Sequence, residues 1–100
     1  MIRHIVLWRF KPEGKREGRI LDLARIEAAV KAMRAGVPGL LHAELAVNQA
    51  VSSDAADLLL EASFSSWEAL AQYEQHPLHN ALRGLIGPLR SERRVVDYER

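Results

Sequence analysis

The first strand of this chain carries large apolar side chains on both of its faces, and this restricts the possible folds more than any other feature. The segment from Ile2 to Phe10 is rich in β-branched and aromatic residues, which is typical of a β-strand. Neighbouring residues of a strand point to opposite faces, so Val6 and Trp8 lie on one face. Ile5 and Leu7 lie on the other. Because the helices of one chain can cover only one face, the second face requires a further partner.

Helical and strand patterns alternate along the rest of the chain. Apolar residues that recur every three or four positions indicate helices, and alternating apolar and polar residues indicate strands. The predicted elements are a helix from about Arg19 to Ala35, strands at Leu41 to Val47 and Asp57 to Phe64, a helix capped by Ser65, a short helix from Pro77 to about Ile86, and a last strand from about Arg93 to Glu99. This order is typical of a ferredoxin-like α+β fold, a four-stranded antiparallel sheet with helices on one face. We expect a single domain over residues 1–100.

A second copy of the chain is the simplest cover for the free face of the sheet. Closed two-fold dimers are the commonest oligomers, so we expect a homodimer that forms through the sheet face. A monomer with scattered apolar residues on its surface is the alternative.

Composition excludes several classes of function. The net charge is only +1, and the arginines near the C-terminus are interleaved with acidic residues, so we expect no binding to nucleic acid. The chain has no cysteine, which excludes disulfides and thiol catalysis. The apolar run at the N-terminus is too short and too charged for a signal peptide, and no segment approaches membrane-spanning length. We therefore expect a cytoplasmic protein that does not bind membranes.

The strongest indication of a chemical function is the segment Tyr73-Glu74-Gln75-His76-Pro77-Leu78-His79. Pro77 disfavours helical geometry at the residue before it and is itself favoured as the first residue of a helix. One helix should therefore end near His76 and another should begin at Pro77. His79 then lies in the first turn of the second helix, where the helix dipole disfavours imidazolium. A neutral histidine can accept a proton, and Tyr73 can donate a hydrogen bond.

Structural roles for the same side chains remain open. Tyr73 can be a core residue whose hydroxyl binds a backbone group, and His79 can form a hydrogen bond to the sheet. His76 fits a helix cap better than a catalytic role. The proline between the two histidines disrupts the helical spacing of zinc-binding pairs, so we expect no metal. No nucleophile motif or glycine-rich phosphate loop is present, and we expect no cofactor.

Four segments of the chain occur together, in this order, in one known family. They are His4-Ile5-Val6-Leu7-Trp8-Arg9-Phe10-Lys11, Val37-Pro38-Gly39-Leu40, Phe64-x-x-Trp67-x-x-Leu70-x-x-Tyr73-x-x-His76-Pro77-x-His79 and Val96-Asp97-Tyr98-Glu99. With them the chain resembles the stress-responsive A/B barrel domain (Dabb) family, the dimeric α+β barrels. The resemblance implies a ferredoxin-like protomer whose sheet packs on its twin to form a barrel. Many members have no assigned reaction, and several are known only as stress-induced proteins.

The resemblance also implies a catalytic pair. Olivetolic acid cyclase, a plant polyketide cyclase of this family, performs an aldol condensation with a tyrosine and a histidine, which match Tyr73 and His79. His79 would then remove a proton next to a carbonyl, and Tyr73 would bind the oxygen that gains charge. His4 and Asp97 are supporting candidates, because the first and last strands of such a sheet are antiparallel neighbours. Asp97 would fix the tautomer of His4 or of His79, and a structural bond between the strands is the alternative.

A ligand is expected between the helices and the sheet. The expected contact residues are Val6, Trp8, Ile26, Val30 and Leu60. A polyketide pocket should be rich in aromatic groups, but only 6% of the residues are aromatic. Arg83, Arg90 and Arg93 lie near the segment that would close the pocket. They favour a smaller or more polar ligand such as an anion, or a pocket filled by side chains.

The sequence therefore leaves more than one class of function. The first is a small dimeric protein of the stress-responsive type that binds a small molecule. The second is a cofactor-independent cyclase, lyase or isomerase that transfers protons with Tyr73 and His79. A third is an oxygenase-like barrel, which rests on analogy of fold alone.

Overall fold

A four-stranded antiparallel sheet forms the centre of the computed structural model, which describes all residues from Met1 to Arg100. The strands and helices are β1 (Ile2–Phe10), β2 (Lys15–Arg16), β3 (Arg19–Ile20), α1 (Leu23–Gly36), β4 (Leu40–Val47), β5 (Leu58–Phe64), α2 (Trp67–Glu74), α3 (Pro77–Ile86) and β6 (Arg90–Glu99). The strand order of the main sheet is β4-β5-β1-β6, and every neighbouring pair is antiparallel. This is the ferredoxin-like α+β fold that the sequence predicts.

Three predicted boundaries need correction, whereas the other predicted ends agree with the structure to within about two residues. The first helix begins at Leu23 rather than Arg19, because β3 at Arg19–Ile20 pairs with β2 in a separate two-stranded ribbon. Ser66, not Ser65, caps α2, since its hydroxyl oxygen accepts a hydrogen bond from the backbone N–H of Ala69 at 3.1 Å. The last strand begins earlier than predicted, at Arg90.

The two faces of the sheet differ in how well they are covered. On the side of the helices, Val6 and Trp8 of β1 are buried. On the open side, Leu7 keeps 37% of its surface exposed and Val96 of β6 keeps 59%. The predicted two-sided character of the first strand is therefore present, and one apolar face has no cover within the chain.

Short helices cover the other face of the sheet. α1 has 14 residues, α2 has 8 and α3 has 10. None of the helices is both long and apolar enough to cross a membrane. Gly39, with φ of +79°, lets α2 approach the chain closely, because a Cβ there would lie 2.6 Å from the Cβ of Ala69.

A β-bulge changes the direction of side chains at the start of β6. Trp8 of β1 lies opposite Arg93, and Arg9 lies opposite Glu92, but the next residue, Phe10, lies opposite Arg90. Ser91 is therefore the extra residue of the bulge. Because Phe10 and Trp8 share the helix-covered face, Arg90 and Arg93 are both brought to that face.

Candidate functional site

A cavity of about 390 Å³ lies between α3 and the helix-covered face of the sheet. Its walls come from β1, β5, α2, α3 and the first half of β6. The lining residues are His4, Val6, Trp8, Leu60, Tyr73, Glu74, His79, Leu82, Arg83, Ile86, Gly87, Arg90 and Arg93. Apolar residues thus alternate with titratable and charged ones around a single space.

The junction of α2 and α3 positions the Tyr73/His79 pair. His76 is the N-cap of α3, and its Nδ1 accepts a hydrogen bond from the backbone N–H of Leu78 at 3.1 Å. Pro77 follows as the first helical residue, as predicted. This turn places the rings of Tyr73 and His79 side by side, with their centroids 4.2 Å apart.

The Tyr73 hydroxyl has no hydrogen-bond partner in the chain. Its ring packs against Phe64 at 4.8 Å and against His4 at 5.7 Å between centroids, and the residue is only 1% exposed. The hydroxyl oxygen is nevertheless not among the fully enclosed polar atoms, so it reaches the cavity. Burial raises the pKa of this hydroxyl far above its ordinary value, although Arg93 and Arg83 act in the opposite direction. Tyr73 is therefore a neutral hydrogen-bond donor.

His79 is held as a neutral imidazole. Burial lowers the pKa of His79 to about 4, the bond to the Glu74 backbone opposes this, and the charges of Arg83, His4 and Arg93 lower the pKa further. The sequence predicts a neutral ring but attributes it to the helix dipole, whereas burial is the main cause. Nδ1 lies 3.2 Å from the carbonyl oxygen of Glu74 and donates its proton there, which leaves the lone pair on Nε2.

His4 and Asp97 form the contact between strands that the sequence predicts. The two residues are directly opposite each other on β1 and β6, and Nδ1 of His4 donates to Oδ1 of Asp97 at 2.5 Å. Asp97 thus orients His4, while the Glu74 carbonyl orients His79. The remaining nitrogen of His4, Nε2, is buried and has no partner in the chain.

Most of the predicted ligand contacts line the cavity, but two do not. Val6, Trp8 and Leu60 are in its wall. Ile26 and Val30 are core residues that do not line this cavity, and Val30 instead borders a smaller, separate pocket between α1 and β4.

Sequence reasoning missed several lining residues on α3. Leu82 and Ile86 belong to the cavity wall, three and seven residues after His79, whereas Arg83, four residues after it, was expected near the pocket. These intervals place side chains on one face of a helix, so helical spacing from His79 is the signal that would have found them. Glu74 was likewise not expected to line the site.

The fold and the site define a class of protein, the ferredoxin-like α+β proteins that enclose a cavity between helices and sheet. The chain belongs to the Dabb family, because residues 2–100 match the family described as Stress responsive A/B Barrel Domain. No curated protein matches the chain.

Solved structures from several organisms are similar to this chain. A dimeric protein of unknown function with a ferredoxin-like fold from Bacteroides fragilis is 22% identical, with a TM-score of 0.86 over 99% of this chain and 95% of that one. A Dabb family protein with a ferredoxin-like fold from Mesorhizobium loti is 23% identical, with a TM-score of 0.74 over 99% and 95%. Hydroxynitrile lyase from Passiflora edulis is 17% identical, with a TM-score of 0.77 over 97% and 90%. At these identities the similarity establishes the fold.

Proposed function

We propose that this protein binds a small organic molecule in the cavity between α3 and the sheet. The observation that supports this most is a pair of polar groups without partners in an otherwise packed interior. The Tyr73 hydroxyl and Nε2 of His79 make no hydrogen bond within the chain, and both residues line the same cavity. Neither atom is fully enclosed, and polar groups that converge on one cavity without partners in the chain are typical of a ligand site, so the two groups favour a ligand that binds both.

A thermal-shift screen of small aromatic and aliphatic molecules, neutral and acidic, tests the binding. Compounds that raise the melting temperature of the wild type should lose this effect in His79→Ala. His42→Ala is the matched control, because His42 is an exposed histidine on β4 that lies outside the cavity. Equal stabilisation of the wild type and His79→Ala, or no stabilising compound at all, contradicts the proposal.

Proton transfer without a cofactor is a second candidate function. It is favoured by the tautomer of His79, whose lone pair is on Nε2 and whose ring adjoins the neutral Tyr73 hydroxyl. In such a reaction Nε2 removes a proton from carbon next to a carbonyl, and Tyr73 donates a hydrogen bond to the oxygen that becomes negative. A structural neighbour with 17% identity is a hydroxynitrile lyase.

Deuterium exchange provides a direct test of proton transfer. Carbonyl compounds that stabilise the protein are incubated with it in D2O, and loss of the C–H signal next to the carbonyl is followed by proton NMR. The wild type and His42→Ala should accelerate exchange, His79→Asn should abolish the acceleration, and Tyr73→Phe should reduce it by about 10²- to 10³-fold. Acceleration that survives in His79→Asn excludes this role.

Assembly into a homodimer through the open face of the sheet belongs to the same proposal. Leu7 and Val96 expose apolar surface on that face, and some of the similar structures are dimeric proteins. We expect Leu7→Glu to be monomeric by size-exclusion chromatography with light scattering, because it places a charge in an apolar interface. Ala71→Glu, an exposed position on α2 on the other side of the sheet, should remain dimeric. A monomeric wild type, or a dimeric Leu7→Glu, contradicts this arrangement.

A further inference from the structure

We propose that the cavity binds a small organic acid, whose anionic group lies between Arg83, Arg90 and Arg93 and whose body extends towards Tyr73 and His79. This inference rests on the proposed function, because it names the class of ligand for the same cavity. The anionic group is a carboxylate or a phosphate, since the planar guanidinium fork of arginine binds both through paired hydrogen bonds.

The positive charge of these arginines is not neutralised by the chain itself. None of the three forms an ion pair, whereas Arg3, Lys15 and Arg94 do. Glu74 is the one acidic residue in the cavity wall. The nearby Asp97 is occupied by His4. Three arginines against one glutamate leave an excess of positive charge at this cavity, in a protein whose net charge is only +1.

Two separate structural features bring the arginines together. Arg83 lies on the face of α3 that carries His79, four residues further along the helix. Arg90 and Arg93 are three residues apart on a strand, so regular alternation would direct them to opposite faces. The bulge at Ser91 removes this difference and places both on the cavity side, opposite Phe10 and Trp8.

The charged and polar groups that line the cavity lie at different depths. The three arginines are exposed, whereas Tyr73 and His79 are buried. The charged end of a ligand therefore lies at the mouth, where water still solvates the guanidinium groups, and its less polar end lies inside. Arg83 and Arg93 also lower the pKa values of both Tyr73 and His79, so their charges act at the inner end of the cavity too.

A third unpaired polar group lies deep in the same wall. His4 is 1% exposed, its Nδ1 is bound to Asp97, and its Nε2 is buried without a partner. Because Nδ1 donates to Asp97, Nε2 carries the lone pair, so the body of the ligand requires a hydrogen-bond donor such as a hydroxyl group in addition to the anionic group. A purely apolar tail would leave this nitrogen unsatisfied.

Matched pairs of acids and amides test the charge requirement directly. Acetate, benzoate and naphthoate are compared with acetamide, benzamide and naphthamide by isothermal titration calorimetry, and phenyl phosphate is included to distinguish the two anionic groups. We expect at least one acid to bind about tenfold or more tightly than its amide, and its affinity to fall as NaCl is raised. Comparison of benzoate with phenyl phosphate then identifies the preferred group.

Single substitutions locate the anionic group. Arg83→Gln, Arg90→Gln and Arg93→Gln should each weaken binding of the acid about tenfold and leave binding of the amide unchanged. Arg25→Gln, an exposed arginine on α1 outside the cavity, should change neither. Glu74→Gln should tighten binding of the acid, because it removes the one negative charge from the cavity wall. If the arginines had only a structural role, this substitution would not change the affinity for the acid.

The binding experiments distinguish a failure of the proposed anion site from a failure of the proposed binding function. Amides that bind as tightly as their acids overturn the anionic class but leave the cavity as a binding site. Acids that bind equally well to the wild type and to all three arginine variants place the anion elsewhere and also overturn the inference. If neither acids nor amides bind, the proposed function fails together with it.

Discussion

The helix-covered side of the sheet has two halves that differ in chemistry. The aliphatic half lies under α1, where Ile26, Val30 and Met33 are buried and the helix packs against β4. The hollow half lies between α3 and β6, where the buried residues include His4, Tyr73 and His79, and where the cavity remains. The aliphatic half stabilises the fold by burying apolar side chains. The hollow half contains polar groups that have no hydrogen-bond partner in the chain.

The difference shows how a chain of this size can carry a polar site. In the hollow half, Nε2 of His4 is fully enclosed without a partner, and such an atom destabilises a protein by roughly 1–3 kcal/mol, so it persists only where other contacts offset this cost. In this chain the aliphatic half supplies these contacts, because its side chains are almost completely buried. Substitutions in the aliphatic half should therefore reduce stability, and substitutions in the hollow half should mainly change binding.

The largest expected effect is in the aliphatic half. Ile26 is fully buried, so Ile26→Ala removes apolar contacts and leaves a space behind. We expect the free energy of unfolding to fall by about 2–5 kcal/mol in urea denaturation. Ala24→Ser, at an exposed position of the same helix, is the control and should change it by less than about 1 kcal/mol. A loss of less than about 1 kcal/mol for Ile26→Ala would show that this half is not the stabilising one.

Acid should destabilise the protein through the hollow half. The pKa of His79 is about 4 in the folded chain and 6.5 ordinarily, so between these values the unfolded state binds more protons. Stability is then constant above about pH 6.5 and falls as the pH drops towards 4, by at most about 3 kcal/mol from this group. Urea denaturation of the wild type and His79→Asn measures the difference. Parallel pH profiles for the two proteins would exclude His79 as the cause.

A smaller effect is expected at the bond between His4 and Asp97. Asp97→Asn keeps an acceptor for Nδ1 of His4 but removes the charge that strengthens the bond. We expect a loss of about 1 kcal/mol in unfolding free energy, without a change in fold by circular dichroism. Glu99→Gln, two residues away on the same strand and without an ion pair, is the control. Identical stability of Asp97→Asn and the wild type would mean that the charge adds nothing.

The smallest effect on stability is expected at the Tyr73 hydroxyl. Because this hydroxyl has no partner in the chain and is not fully enclosed, so that water in the cavity can bind it, Tyr73→Phe should keep the unfolding free energy within about 0.5 kcal/mol of the wild type, or raise it slightly. The same variant should weaken binding of any ligand that accepts a hydrogen bond there. A loss of stability above about 1 kcal/mol would indicate a structural bond of the hydroxyl, and the two halves would no longer differ in this respect.

The fold could be predicted from the sequence because its signals are local. The apolar pattern of Ile2–Phe10, the helical spacing in the following segment and the proline at position 77 each indicate an element directly, and the family resemblance agrees with their order. The predicted N-cap of α2 was wrong because two neighbouring residues carry equally good local signals for a helix cap. Ser65 and Ser66 are both good helix caps, and only the hydrogen bond to Ala69 decides between them.

The site was harder to predict from the sequence than the fold, because it depends on contacts between distant segments of the chain. The antiparallel pairing of the first and last strands correctly predicted that His4 lies beside Asp97. Regular alternation along the last strand would have separated Arg90 from Arg93, because a bulge at Ser91 has no signal in the sequence. The exclusion of Ile26 and Val30 from the cavity likewise depends on where α1 packs, and hydrophobic spacing alone cannot distinguish a core contact from a cavity wall.

The central claim is that the hollow half holds a neutral His79 whose free nitrogen faces the cavity. Long-range proton–nitrogen correlation NMR across a pH titration observes both ring nitrogens directly. We expect that at pH 7 the proton is on Nδ1 and Nε2 is unprotonated, and that the ring gains its second proton only near pH 4. A midpoint near the ordinary 6.5, or a proton on Nε2 at pH 7, would contradict it.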